Sequence, residues 1–184
     1  MRRLFHFYFH TLLYFGIFVL KFISMYLFNH SVCIRSIRQT DDQAYFDIFS
    51  HPQVALYDDF TPIKQEDLDA DMKRIALYDD QSLFCEYAVA LIESDLMIGV
   101  LTVDRKRKFT YLGYHFNPAY QGKGYAVASV QLFLSSLDEV SRKLVRLVID
   151  PQNAQSIKLA LKVGFVKIKS RVKNKKQELI FGLR

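Results

Sequence analysis

The chain has 184 residues, of which 51% are hydrophobic and 24% charged; this suits one globular domain and excludes a disordered, collagen-like or disulfide-stapled protein. The formal charge of +6 conceals a segregation, because residues 31–100 carry 5 Lys/Arg against 14 Asp/Glu whereas residues 101–184 carry 17 against 5. The positive total is therefore the difference between a strongly acidic segment and a strongly basic one, and it does not indicate a nucleic-acid-binding protein. Cys33 and Cys85 lie in apolar stretches without CxxC spacing, which is typical of reduced thiols in a cytoplasmic protein.

Residues 1–30 form a hydrophobic leader that contains 10 of the 27 Phe and Tyr residues and no acidic side chain. The uncharged run 4–20 is shorter than the roughly 20 residues needed to cross a bilayer, and Lys21 separates it from the next apolar run. Two interpretations stay open: a membrane anchor with the adjoining domain facing the cytosol, or a dispensable extension upstream of a translation start at Met25. A cleaved signal peptide is disfavoured because the segment has no small-x-small site. The predicted domain occupies residues 31–184.

From residue 32 onward, the hydrophobic periodicity predicts the order β α α β β β α β α β β. Thr40 and Gln43 have the spacing of a capping box ahead of the first helix, and Thr61-Pro62 is a helix start ahead of an acidic second helix. The strands are expected at residues 32–38, 87–93, 97–103, 109–116, 144–149, 165–172 and 177–183. The later helices are expected at about 124–140 and 153–163.

The segment most informative about function is residues 117–126, a glycine-bearing turn between a strand and a long helix. Backbone amides and the helix dipole attract phosphate groups at such a position, and Lys123 adds a positive charge. Neither a P-loop nor a dinucleotide-binding fingerprint fits, because Asn117, Gly124 and Val127 stand where those motifs need other residues. The loop therefore predicts a pyrophosphate site of another kind.

Gln121-x-x-Gly124-x-Ala126 after a strand resembles the Gln/Arg-x-x-Gly-x-Gly/Ala motif of the GNAT superfamily of acetyl-CoA-dependent N-acetyltransferases. A second match is similar to the RimJ/RimL-like branch: an Asn-x-x-Ser helix start and a Gly-Phe helix end, at Asn153, Ser156, Gly164 and Phe165. The resemblance covers residues 32–183 and implies a mixed α/β (α+β) fold. Its mostly antiparallel, twisted sheet of about seven strands is expected to splay between the fourth and fifth strands, with about four flanking helices.

The resemblance implies transfer of the acetyl group of acetyl-CoA to a primary amine by direct attack in a ternary complex, without a metal. The strand ending at Phe116 is expected to pair with the pantetheine arm, Asn153 to hydrogen-bond that arm, and Ser156 to lie near the sulfur. The residues alone equally allow Asn153 as a helix N-cap and Ser156 as a solvent-facing residue. The amides expected to hold the pyrophosphate belong to Gln121, Gly122, Lys123, Gly124, Tyr125 and Ala126.

The sequence departs from the family at three positions. Tyr111 and Ala128 stand where relatives often carry Glu, and Ala160 stands where some relatives carry Tyr. His115 shares a strand face with Tyr111 and titrates near neutrality as a residue type, which makes it the candidate base. Ser156 or Tyr125 would then protonate the leaving thiolate. The alternative that these departures raise is a GNAT-like module that binds acyl-CoA without turnover.

The acceptor is expected to be cationic, either a polyamine-like small molecule or the α-amine of a protein N terminus, because carboxylates crowd the segment that walls the acceptor side in relatives. A solvated helix face is the alternative explanation. Nucleic acid is not an expected partner, since the basic segments 105–108 and 167–176 lack stacking aromatic residues; a homodimer stays open. The acidic residues are Asp58, Asp59, Glu66, Asp67, Asp69, Asp71, Asp79 and Asp80.

Overall fold

A computed structural model of the chain describes residues 25–79 and 82–184. Most of the hydrophobic leader, including the segment considered as a membrane anchor, lies outside this range, as does Asp80. Within the described range, no helix combines the length and the apolar character needed to cross a bilayer.

Eight strands in the described residues form one sheet in the order β1-β2-β3-β4-β5-β6-β8-β7. All neighbours pair antiparallel except β5 and β6, which are parallel. The mixed, mostly antiparallel architecture expected from the sequence is confirmed. The strands are β1 (Tyr26–Phe28), β2 (Val32–Ser36), β3 (Phe84–Leu91), β4 (Met97–Lys106), β5 (Phe109–Phe116), β6 (Val145–Ile149), β7 (Val166–Lys173) and β8 (Lys176–Gly182).

Helices cover both faces of the sheet and divide the core in two. Because side chains alternate along a strand, Leu101 of β4 joins one core and its neighbour Val100 the other. Helices α4 and α6 pack over the first face, and α1 to α3 over the second. The helices are α1 (Asp42–Phe49), α2 (Pro52–Ala55), α3 (Leu68–Ile75), α4 (Tyr125–Ser135), α5 (Glu139–Lys143) and α6 (Ala154–Val163).

The sheet opens between β5 and β6. Their register contains only the pairs Thr110–Val145 and Tyr111–Arg146, although β5 continues to Phe116. The Asn117 amide donates to β4 at the Ile98 carbonyl over 3.0 Å, so strand alternation turns the amides of the even-numbered β5 residues toward the gap. The expected splay is confirmed, and it leaves strand backbone unpaired by the sheet.

Several local expectations need correction. Strand β1 lies within the range assigned to the leader and pairs with β2. The second helix does not begin at Thr61: residues 61–64 have no regular secondary structure, and a 3₁₀ turn at Gln65–Asp67 leads into α3. The expected helix over 124–140 is divided, because the Asp138 carboxylate accepts the Ser141 amide at 2.9 Å and caps a new helix, α5.

The prediction of a capping box at Thr40 and Gln43 is also wrong. The side chain that caps this turn is Asp41, whose carboxylate accepts a hydrogen bond from the Arg38 amide at 2.7 Å. The same carboxylate accepts two hydrogen bonds from the Arg35 guanidinium, at 2.7 and 3.0 Å. Both Arg35 and Asp41 are buried, so the start of α1 is fixed to strand β2 by an ion pair inside the protein.

Candidate active site

The loop between β5 and α4 presents backbone amides at a helix N terminus that have no partner among the described residues. A 3₁₀ turn at Pro118–Tyr120 comes after β5, and Gly122 and Gly124 adopt φ of +76° and +87°, which glycine permits. The Ala128 amide makes the first hydrogen bond of α4, to the Gly124 carbonyl at 3.0 Å. The amides of residues 122–127 therefore precede the hydrogen bonding of the helix and are available to an anion.

Gln121 ties this loop to the end of β5. Its side-chain Nε2 donates to the Phe116 carbonyl at 3.0 Å, and its own amide donates to the Pro118 carbonyl at 3.2 Å. Of the amides predicted to hold a pyrophosphate, that of Gln121 is thus engaged within the loop. The Phe116 ring is buried, and a Cβ at Gly99 would come within 2.5 Å of it. Phe116 can therefore serve a ligand only through its backbone.

The space above the loop is open. A Cβ at Gly122 or Gly124 would meet no atom of residues 25–79 or 82–184 within 4 Å. Lys123 is exposed, and its ammonium lies 5.2 Å from the Tyr120 ring centroid. Open space, unpaired amides and a nearby cation are the features that a pyrophosphate needs, so the residues present fit this part of acetyl-CoA.

The first turn of α6 lies on the α4–α6 face of the sheet. The Asn153 Oδ1 accepts the Ser156 amide at 3.0 Å, which makes Asn153 the N-cap and leaves its Nδ2 as the donor for a ligand. The Tyr114 hydroxyl donates to the Ser156 carbonyl at 3.4 Å and so links β5 to α6. Burial raises the pKa of Tyr114 to about 12, so this hydroxyl stays neutral. Sequence analysis missed Tyr114, although strand alternation places it on the same face as Phe116.

The opposite face of the sheet carries His115. Its Nε2 lies 3.1 Å from Asp58 Oδ2, and its ring centroid lies 5.2 Å from that of Phe49 and 5.5 Å from that of Phe60. The side chain is 14% exposed, and Nδ1 is buried without a hydrogen-bond partner among the described residues. In the sequence, Asp58 is only one member of an acidic segment. The structure singles it out as the carboxylate that contacts the candidate base.

The remaining acidic residues do not form one common site. Asp59 accepts a hydrogen bond from Lys176 at 2.7 Å, which lowers the pKa of Asp59, and Asp71 pairs with Arg74 at 2.9 Å. A cavity of about 250 Å³ lies beside the loop after α2 that carries Asp58 (the Asp58 loop). It is lined by Leu56, Tyr57, Asp150, Pro151, Gln152, Lys176 and Gln177. The acidic field is thus partly neutralised, and the cavity joins the loop to the segment that precedes α6.

Glu86 is a buried carboxylate that sequence analysis missed. It projects from β3 on the same sheet face as His115 and approaches Arg74 of α3 at 3.4 Å. Burial raises its pKa, and the attraction of Arg74 only partly opposes this. The described residues contain no group of three His, Cys, Asp or Glu side chains suited to a metal ion.

Comparisons with known proteins identify the family to which this fold belongs. The model of one protein family, an acetyltransferase (GNAT) domain, matches residues 31–166. No functionally curated sequence matches the chain significantly. An acetyltransferase of the GNAT family from Bacillus anthracis superposes with a TM-score of 0.74 at 20% identity, over 86% of this chain and 98% of that one.

Two further solved structures share the fold. Mycobacterium smegmatis RimJ, in complex with CoA-disulfide, has a TM-score of 0.71 at 16% identity over 87% of this chain and 86% of its own. A spermidine N-acetyltransferase chimera containing the Vibrio cholerae enzyme has a TM-score of 0.67 at 15% identity over 83% and 94%. From the motifs, the splayed sheet and the matching family model, the chain belongs to the GNAT acetyltransferase family.

Proposed function

We propose that this protein transfers the acetyl group of acetyl-CoA to a primary amine. The observation that carries the proposal is the juxtaposition of the β5–β6 gap with the unpaired amides of residues 122–127. Together they offer an extended groove for a pantetheine arm and an anion site for a pyrophosphate. A RimJ structure of the same fold is a complex with CoA-disulfide, which supports this assignment.

The chain's own groups have distinct tasks in this proposal. The amides of residues 122–127 and the Lys123 ammonium hold the pyrophosphate, and the backbone of Tyr114 and Phe116 faces the pantetheine in the gap. Asn153 Nδ2 donates to that arm, since its Oδ1 already caps α6. Holding both reactants in one orientation supplies much of the rate enhancement in such reactions.

Acetyl-CoA supplies a thioester whose carbonyl carbon is attacked by the amine nitrogen, after which the C–S bond breaks and the sulfur takes a proton. The amine must first lose the proton that makes it an ammonium. We assign His115 as the group that takes this proton. Ser156, at the first turn of α6, and Tyr125, the first residue of α4, are the hydroxyls assigned to the sulfur side.

We further propose a cationic acceptor, either a polyamine-like molecule or a protein N-terminal α-amine, encountered in the cytoplasm where acetyl-CoA is available. Leu56 and Tyr57, which precede Asp58, line the cavity together with Asp150, whose carboxylate favours an approaching cation. Lys176 also lines the cavity, but its charge is paired with Asp59 at 2.7 Å. One structural neighbour is a spermidine N-acetyltransferase chimera and another is RimJ, which supports both classes of acceptor.

The proposal is tested by calorimetric titration of the full chain with acetyl-CoA, and then by thiol release with spermidine and with a peptide bearing a free N terminus. We expect micromolar binding, about −8 kcal/mol, that Gly124→Glu abolishes because a carboxylate enters the anion site. Gln131→Glu adds the same charge on the exposed side of α4 and should bind like the wild type. Binding without thiol release would instead support the module without turnover, for which Tyr111, Ala128 and Ala160 are the motivation.

A further inference from the structure

We propose that Asp58 is a positioning residue for His115 and that His115 Nδ1 takes the proton of the acceptor amine. This rests on the proposed acetyl transfer and identifies how its proton acceptor is held. Asp58 lies 57 residues away from His115 in the chain, in the loop after α2. The pair is therefore a product of the tertiary structure and of no local motif.

The contact between Asp58 and His115 decides which tautomer of the ring is favoured. With a hydrogen on Nε2, the ring donates to Asp58 Oδ2 across the observed 3.1 Å. With the hydrogen on Nδ1, the Nε2 lone pair would face a carboxylate, and a buried N–H would have no acceptor among the described residues. The neutral ring is therefore protonated on Nε2 and carries its basic lone pair on Nδ1.

The Nδ1 atom is buried and has no partner in the part of the chain that the structure describes. Proteins rarely leave a buried acceptor unpaired, and exceptions concentrate where a ligand or an ordered water supplies the missing donor. Phe49 and Phe60 flank the ring and provide apolar surroundings rather than competing donors. We therefore infer that the acceptor amine, directly or through one water, is the donor that Nδ1 lacks.

The reaction needs no reactant beyond acetyl-CoA, the acceptor amine and the side chains of the protein. An N–H bond of the ammonium breaks, its proton bonds to Nδ1, and the freed electron pair forms the C–N bond to the acetyl carbon. The C–S bond then breaks with its electron pair on the sulfur. The nitrogen still carries one proton more than the amide needs and gives it up, while the sulfur takes one proton through the hydroxyl of Ser156 or Tyr125. The products are the amide and free CoA, with one proton left on the ring. The imidazolium so formed keeps its Nε2–H against the Asp58 carboxylate, which stabilises the new positive charge.

The elements on this face of the sheet carry further polar, charged and aromatic groups. Glu86 of β3 lies on the same face and is paired with Arg74 of α3, while α1 contributes the Tyr45 hydroxyl and the Phe49 ring. Asp58 is the one carboxylate in hydrogen-bond contact with His115 among the described residues. Asp58→Asn therefore removes the one carboxylate that contacts the ring directly in this part of the chain.

The loop that carries Asp58 is held from its other side. Lys176, at the start of β8, donates to Asp59 Oδ1 at 2.7 Å and approaches the Asp58 carbonyl at 3.5 Å. These contacts fix the backbone on which Asp58 stands. The geometry of the Asp58–His115 pair therefore depends on three elements: β5, the loop after α2 and the β7–β8 hairpin.

The test measures kcat and kcat/KM against pH for the full chain at saturating acetyl-CoA, with whichever of spermidine or the peptide is acetylated. Asp58→Asn should lower kcat about 10- to 100-fold and move the acid limb to lower pH, because the imidazolium loses its carboxylate. His115→Gln should remove that limb. Asp47→Asn deletes an exposed carboxylate of α1 whose partner is Gln43, and it should change neither quantity.

Two results would overturn the inference: an acid limb that stays in place in Asp58→Asn while activity falls evenly at every pH, or full kcat in His115→Gln. Acetyl-CoA affinity, measured by calorimetry, should be retained in both variants and separates a catalytic loss from misfolding. If the wild type binds acetyl-CoA but acetylates nothing, the proposed function fails first. The tautomer is still testable then, since the ¹⁵N shifts of His115 must show hydrogen on Nε2, and hydrogen on Nδ1 would refute the pairing.

Discussion

The Gln121 side chain donates a hydrogen bond to the Phe116 carbonyl over 3.0 Å, across the turn that separates β5 from α4. The conspicuous glutamine of the loop motif thus contacts the end of the splayed strand and holds the two parts of the proposed acetyl-CoA site together. This bond connects the proposed pyrophosphate site to the proposed groove at the gap, in addition to the chain itself.

Gln121→Ala should therefore weaken acetyl-CoA binding without unfolding the protein. A hydrogen bond of this type contributes about 1 kcal/mol, which corresponds to a loss of affinity of roughly five- to tenfold. Calorimetric titration of the full chain measures it, and Gln131→Ala on the exposed side of α4 is the matched control. Unchanged affinity in Gln121→Ala would show that the loop is held by other means.

Gly99→Ala tests how closely β4 and β5 pack below the site. The new Cβ would lie 2.5 Å from the Phe116 ring and 2.9 Å from the His115 carbonyl oxygen, so the backbone must shift. We expect a loss of about 1–3 kcal/mol in the free energy of unfolding. Gly122→Ala, where a Cβ meets no atom within 4 Å, should lose less, about 1 kcal/mol for its left-handed backbone. Urea denaturation compares the two, and equal losses would contradict the packing described.

Much of the fold was predictable because its signals are local. Strand β5 has the predicted bounds, since a run of aromatic and β-branched residues is bordered by a basic turn and a proline. Helix α6 begins after the N-cap at Asn153 and ends at Gly164, whose φ is +102°. Strand β1 was not predicted because its three residues continue the apolar composition of the leader. The break between α4 and α5 was not predicted because the apolar periodicity of the sequence continues through it.

The site was predictable only in part, because only some of its contacts are local in the sequence. The loop of residues 117–126 was predictable, since it is a continuous segment with recognisable spacing. The contacts of His115 with Asp58 and of Tyr114 with Ser156 join residues 57 and 42 positions apart, and no sequence period connects them. Asp58 could be noticed as one of many carboxylates, but its contact with His115 depends on where the loop after α2 packs against β5.

The ion pair between Arg35 and Asp41 should be a major determinant of stability. Asp41→Asn leaves the Arg35 guanidinium, which is 3% exposed, without its bidentate partner, and such a loss costs about 3–5 kcal/mol. Asp47→Asn, an exposed change on α1, should stay within about 0.5 kcal/mol of the wild type. Urea denaturation of the wild type and the two variants measures both losses. A small effect of Asp41→Asn would contradict the prediction and would mean that Asp95, 2.7 Å from Arg35, is enough to pair the buried guanidinium.

Glu86 should make stability depend on pH. Burial raises its pKa in the folded chain, so its contribution is most favourable below the unfolded value of about 4.3 and declines as the pH rises through the folded value. Glu86→Gln removes this dependence, and Arg74 keeps Asp71 as a partner. The unfolding free energy of the variant relative to wild type should therefore rise from about pH 4 to pH 7. A constant difference, as expected for the exposed Glu93→Gln control, would contradict it.

Acetyl transfer is tested most directly by incubating the full chain with ¹³C-acetyl-CoA and spermidine, or with a peptide bearing a free N terminus, and quantifying both products. We expect labelled N-acetyl amine and free CoA to appear in equal amounts, with neither formed by Gly124→Glu and both formed by Gln131→Glu. Bound acetyl-CoA that yields no labelled amine, or CoA release without amine acetylation, would contradict the assignment of this protein as an N-acetyltransferase.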